Sequence, residues 1–108
     1  MGFQHVELAG GRWYTLTLAE QMGNIGSEVN RARIAEGKHD DRFINARNRA
    51  LELFDLTLMD PRWRHGRIRE IGRAREVFCD AVFGGKEYGS TLDGIQKYFD
   101  QFALAARR

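Results

Sequence analysis

From residue 18 onward, apolar residues recur every three or four positions in four successive blocks, the signature of amphipathic helices. The first block carries Leu18, Met22, Ile25, Val29 and Ala32, at steps of 4, 3, 4 and 3. Thr17 and Glu20 have the spacing of a capping box, so a helix is predicted over about 18–36, with Gly37 as its stop. Gly23 and Gly26 inside it cost about 1 kcal/mol each relative to alanine, which predicts close approach of another backbone.

The second block, about 41–59, opens at Asp40 or Asp41. Phe43, Ile44, Ala46, Ala50, Leu51, Leu53, Phe54 and Leu58 cover about half its circumference, which predicts the most buried helix of the four. Asp60-Pro61 ends it or caps a short onward turn, since proline suits a first helical position. The third block, about 66–83, turns Ile68, Ile71, Ala74, Phe78, Ala81 and Val82 inward. Gly84 to Gly89 read as a loop, after which Ser90 or Thr91 caps a fourth block, about 91–107, striped by Leu92, Ile95, Phe99, Phe102 and Ala106.

Four such helices with short connections predict one all-α domain over 1–108, an antiparallel up-down-up-down four-helix bundle. Residues 1–16 fall outside this pattern. Phe3 to Leu8 and Arg12 to Leu16 flank Ala9-Gly10-Gly11, which is compatible with a short hairpin. Alternation is poor, and a short non-helical arm packed through Trp13 and Tyr14 fits equally well.

Composition narrows the setting. Apolar residues make up 43% and charged residues 30%, and no apolar run approaches the roughly 18–20 residues of a membrane span. With no signal-peptide pattern and a lone Cys79, the expectation is a soluble cytoplasmic protein with no membrane contact. Net charge is only +2, yet of 17 basic residues all but Lys38, Lys86 and Lys97 are arginine. Arginine's planar fork suits carboxylates and phosphates alike, so this bias does not choose between ion-pair networks and nucleic acid.

Six of the arginines lie between Asp60 and Arg75. Arg69 and Arg73 share an outer helix face with Glu76 and Asp80, an arrangement common on solvated surfaces. Arg62, Arg64, His65 and Arg67 have only Asp60 and Glu70 nearby and stand at a helix entry, where the dipole disfavours cations. That placement does not help folding. It points to an anionic partner, with Arg62, Trp63, Arg64, His65, Arg67 and Arg69 as the nucleic-acid contact set and Trp63 either stacking on a base or packing over the helix end. The alternative is a protein-interaction or scaffold module whose arginines meet a partner's acids.

A second constellation is internal. Arg47 falls within the apolar arc between Phe43 and Phe54, Arg75 between Ile71 and Phe78, and Glu28 at the edge of the first stripe. A buried charge needs a partner, so Glu28 is predicted to pair with Arg47, Arg75 or both, with Asp100 as a second acid. Val77, Phe83, Tyr98, Leu104, Leu56 and Met59 lie off the core stripes, which predicts a homo-oligomer. His5, His39 and His65 are scattered, Cys79 reads as a small core residue, and no P-loop, dinucleotide or nucleophile motif is present. No cofactor, metal or enzymatic activity is expected.

Gln21 and Ser27, then Ile34-Ala35-Glu36-Gly37, then Asp41 and Phe43-Ile44 form a pattern of their own. It resembles the four-helix proteins of ribosomal-RNA intervening sequences and the accessory variability-determinant proteins of diversity-generating retroelements. Asn30 to Arg33 stand where that family carries a proline and an asparagine. The resemblance implies a homopentameric barrel of bundles that binds nucleic acid through a basic surface and docks a reverse transcriptase.

Overall fold

A computed structural model describes residues 11–38, 40–84 and 91–106. The expectations for residues 1–10, His39, the 85–90 loop with Ser90, and residue 107 lie outside the described residues. Four α-helices follow one another: α1 Leu18–Ala35, α2 Asp41–Leu58, α3 Ile68–Val82 and α4 Leu92–Ala106. Two short 3-10 turns, Arg12–Thr15 and Pro61–Trp63, precede α1 and α3. Among the described residues there is no strand, and no helix is long and apolar enough to cross a membrane. The four-helix architecture is therefore as the periodicity predicts. Arg12–Thr15, one limb of the hairpin alternative, is a helical turn entered through Gly11 at φ 119°.

The caps are local chemistry visible in the chain. Thr17 Oγ1 accepts the Glu20 N–H at 3.1 Å while the Glu20 carboxylate accepts the Thr17 N–H at 2.9 Å, completing the capping box. Asp40 accepts the Arg42 N–H at the start of α2, and Gly37 leaves α1 at φ +84°, a left-handed conformation that suits glycine.

α1, not α2, is the most buried helix. It packs along both α2 and α4, whereas α3 lies mainly against α2 and only lightly on α4. Buried positions recur along its length, from Gln21 and Met22 to Ala32 and Ala35. The physical reason is the glycine pair. A Cβ on Gly26 would stand 2.8 Å from Phe99 Cβ, and one on Gly23 would stand 3.6 Å from Ala103 Cα, so α4 covers α1 at close range. On α2, Ile44 remains exposed and the buried face runs through Ala46, Ala50, Leu53, Phe54 and Thr57. Phe54 joins the halves of the core, its ring centroid 5.7 Å from Phe78 and 5.8 Å from Phe99.

The two glycines should respond to substitution with opposite signs. Gly26→Ala drives a methyl into the Phe99 Cβ, which cannot swing away; overpacking of about 1–3 kcal/mol outweighs the propensity gain of about 1 kcal/mol. Gly23→Ala meets only ordinary contact and should stabilise by up to about 1 kcal/mol. Urea unfolding of the two variants reads the difference.

Candidate functional site

The arginine stretch begins at a corner that is tied to three other parts of the chain. Asp60 is buried at the end of α2. Its carboxylate caps the Pro61–Trp63 turn by accepting the Arg62 N–H at 3.0 Å, and it accepts the Arg62 guanidinium through Nε at 3.0 Å and Nη2 at 2.7 Å. The Gln21 amide nitrogen reaches over from α1 and donates to Asp60 at 3.0 Å and to the Trp13 carbonyl at 2.9 Å. Gln21 Oε1 accepts the Trp63 indole N–H at 2.9 Å. Trp13, fully buried, donates its own indole N–H to Thr57 Oγ1 at 2.9 Å, and Arg62 Nη2 donates to the Leu16 carbonyl at 2.6 Å. The Arg62 guanidinium also lies 4.6 Å above the Trp63 ring.

The buried polar side-chain atoms of this cluster all have partners, which is what makes burial of Gln21 and Asp60 tolerable. Burial alone pushes the Asp60 carboxyl upward. The Arg62 guanidinium and backbone N–H, together with the Gln21 amide, outweigh it and hold the carboxyl below its ordinary range.

Beyond this anchor the chain turns outward. Arg64, His65, Arg67 and Arg69 are exposed. Arg67 occupies the cap position of α3 with no side-chain cap bond and pairs with Glu70 at 3.0 Å. Arg64, His65 and Arg69 make no side-chain hydrogen bond or ion pair among the described residues. Of the six residues read as a contact set, then, Arg62 and Trp63 are engaged by the fold, and Arg64, His65, Arg67 and Arg69 face solvent. Gln21 was missed as part of this corner. Its signal was a polar residue on an apolar stripe, one turn after Leu18 and before Ile25.

The internal ion network is built differently from the sequence expectation. Glu28 is buried, but its partners are Arg31 and Arg49, the latter at 3.1 Å, instead of Arg47 or Arg75. The buried face of α2 is rotated relative to the one drawn through Phe43 and Leu51. Arg49 therefore stands within reach of α1, while Arg47 covers the Phe83 ring at 4.8 Å. Arg75 pairs with Asp55 at 3.0 Å, and Asp100 accepts from Gln96 at 2.9 Å. Leu56, expected on the outside, is 1% exposed, a consequence of the same rotation. Phe83, Leu104 and Met59 are exposed at 57%, 61% and 61%, and Val77 and Tyr98 are half-buried.

Cys79 is also half-buried, and burial pushes its thiol pKa up against the opposing charge of Arg75. Among the described residues no three histidine, cysteine or acidic side chains converge. No family model, curated protein or solved structure matches the chain. Of the residues that carry the family resemblance, Gln21 and Ala35 are buried while Ser27, Ile34, Glu36, Gly37, Asp41 and Ile44 are exposed.

Proposed function

We propose that this protein is a non-enzymatic helical-bundle accessory protein that binds nucleic acid through the exposed corner Arg64, His65, Arg67 and Arg69. The observation that carries this reading is the contrast across one short segment. Asp60, Arg62 and Trp63 fasten the backbone to Gln21 and Leu16, and the next cations project into solvent at a helix start. Folding does not reward arginines there, because the helix dipole opposes them. A phosphate backbone would, and a pre-fastened segment gives up little entropy on binding. Arg62 and Trp63 act as the support of this surface.

Filter binding or fluorescence anisotropy against RNA and DNA, titrated with salt, tests the proposal. Arg64→Glu with Arg69→Glu should lower affinity at least about tenfold and flatten the log–log salt slope by about 2, since each phosphate contact contributes about 0.9. Absence of binding at about 50 mM salt would rule the reading out.

The exposed Phe83, Met59 and Leu104 favour a second reading, a protein-interaction or scaffold bundle that self-associates. There the same charge reversals change assembly mass and leave nucleic-acid binding unaltered. A cytoplasmic setting, a homo-oligomeric assembly and, following the family resemblance, a reverse-transcriptase partner belong to these proposals.

A further inference from the structure

Trp63 has no face left for a base. Its indole N–H is taken by Gln21 Oε1, the Arg62 guanidinium lies 4.6 Å above its ring, and the ring itself packs against the core cluster. Among the described residues the one large aromatic side chain that is exposed is Phe83, at the far end of α3, and Arg47 covers its ring at 4.8 Å. What the corner presents is three guanidinium groups and one imidazole, from Arg64, Arg67, Arg69 and His65. We propose that these groups grip the phosphates of a double helix, with little regard to sequence, in preference to a single strand. This choice rests on the nucleic-acid reading above and narrows it.

Single-strand binders combine a basic groove that tracks the backbone with aromatic platforms on which successive bases stack. Among the described residues neither stands at this corner. The clefts between α3 and α4, at the α1–α2 turn and between α1 and α4 are all lined by other residues. His65 offers one ring, too little for a run of bases. The whole chain carries a formal net charge of only +2, so no broad positive surface extends the corner for a flexible strand to spread along.

A duplex needs neither groove nor platform. It carries one charge per about 1.7 Å of its axis, so a compact set of cations meets more phosphates there than on an extended strand. Each contact also releases more counterion, about 0.9 against about 0.7 for a single strand. The set here is compact, lying between Arg64 and Arg69, and its approach is fixed in advance. Arg62 donates to both Asp60 and the Leu16 carbonyl, so the cations that follow start from a held backbone and suit a rigid, regular partner. Phosphate contacts of this kind position a protein without reading bases, and DNA and RNA duplexes both supply them.

Fluorescence anisotropy of the full chain against labelled duplex DNA, duplex RNA and the separate strands, each about 20 nucleotides long, tests the choice. At about 100 mM salt the preferred duplex should bind at least about tenfold tighter than either single strand, with a steeper log–log salt slope. Scrambling its sequence should change affinity by less than about threefold. A difference between the two duplexes, with single strands still the weakest, supports the choice and names the source. Arg64→Glu with Arg69→Glu should remove the duplex preference together with the affinity. Tryptophan emission of the unaltered protein gives a readout that needs no variant: Trp13 is enclosed and Trp63 covered, so no probe should quench it strongly. Single strands bound as tightly as duplexes, or strong quenching by a single strand, would overturn the choice and leave the nucleic-acid reading standing. No binding to any of the four probes at about 50 mM salt would remove both together.

Discussion

Asp60→Ala should destabilise the protein by about 2–4 kcal/mol and weaken the proposed nucleic-acid binding while leaving the helices largely formed. The carboxylate is the single acceptor on which Arg62 and Gln21 converge, and it also caps the Pro61–Trp63 turn. Removing it leaves the buried Gln21 amide with one acceptor and frees Arg62, whose remaining tie is the Leu16 carbonyl. Arg62 is partly exposed and can recover water, so the loss falls short of that for a fully buried pair. Chemical unfolding gives the stability change. Trp63 reports the local one, because its indole N–H is held by Gln21 and its fluorescence should shift to the red as the corner loosens.

Asp60→Asn separates shape from charge and carries a pH signature. The folded carboxyl lies below its ordinary value of 3.8. A depressed folded pKa contributes stability that is fully present above the unfolded value and is lost as pH falls through the folded one. The wild type should therefore lose stability below about pH 4 more steeply than Asp60→Asn. Parallel acid profiles for the two proteins would contradict the coupling.

Much of this architecture was legible because helices announce themselves locally. The steps from Leu18 to Ala32, the Thr17–Glu20 box and the Asp60-Pro61 stop each depend on residues within one or two turns. The glycines at 23 and 26 were legible as a close approach, though not which helix would approach. What failed was rotational. A wide apolar arc on α2 admits several faces, and the true one is fixed by α1 and α3, so Arg49 turns toward α1 and Leu56 inward where Arg47 and an exposed Leu56 were expected. The candidate site divided along the same line. Exposure of Arg64 to Arg69 follows from a local excess of charge, but Trp63 is claimed by Gln21, and Arg62, besides its neighbour Asp60, by the Leu16 carbonyl, both more than 40 positions earlier in the chain. No spacing rule within the segment contains that contact.

Trp13→Ala should cost still more, about 3–5 kcal/mol, even though the residue precedes all four helices. Trp13 is fully enclosed, its ring packs into the core cluster, its indole N–H donates to Thr57, and its carbonyl accepts from Gln21. Truncation leaves a large cavity where the 3-10 turn closes one end of the bundle, next to the corner that carries the exposed arginines. For a domain of this size the loss corresponds to a drop in melting temperature of at least about 12 °C. Trp13→Phe keeps most of the volume and gives up the N–H, so it should cost only about 1–2 kcal/mol. Thr57 Oγ1 still donates to the Leu53 carbonyl at 2.8 Å, so its loss of one donor is tolerable. A double-mutant cycle with Thr57→Val should return about 1 kcal/mol of coupling for the indole–hydroxyl bond. If Trp13→Ala melts within a few degrees of the wild type, the turn is not a structural part of the bundle, and the Gln21 corner must hold without it.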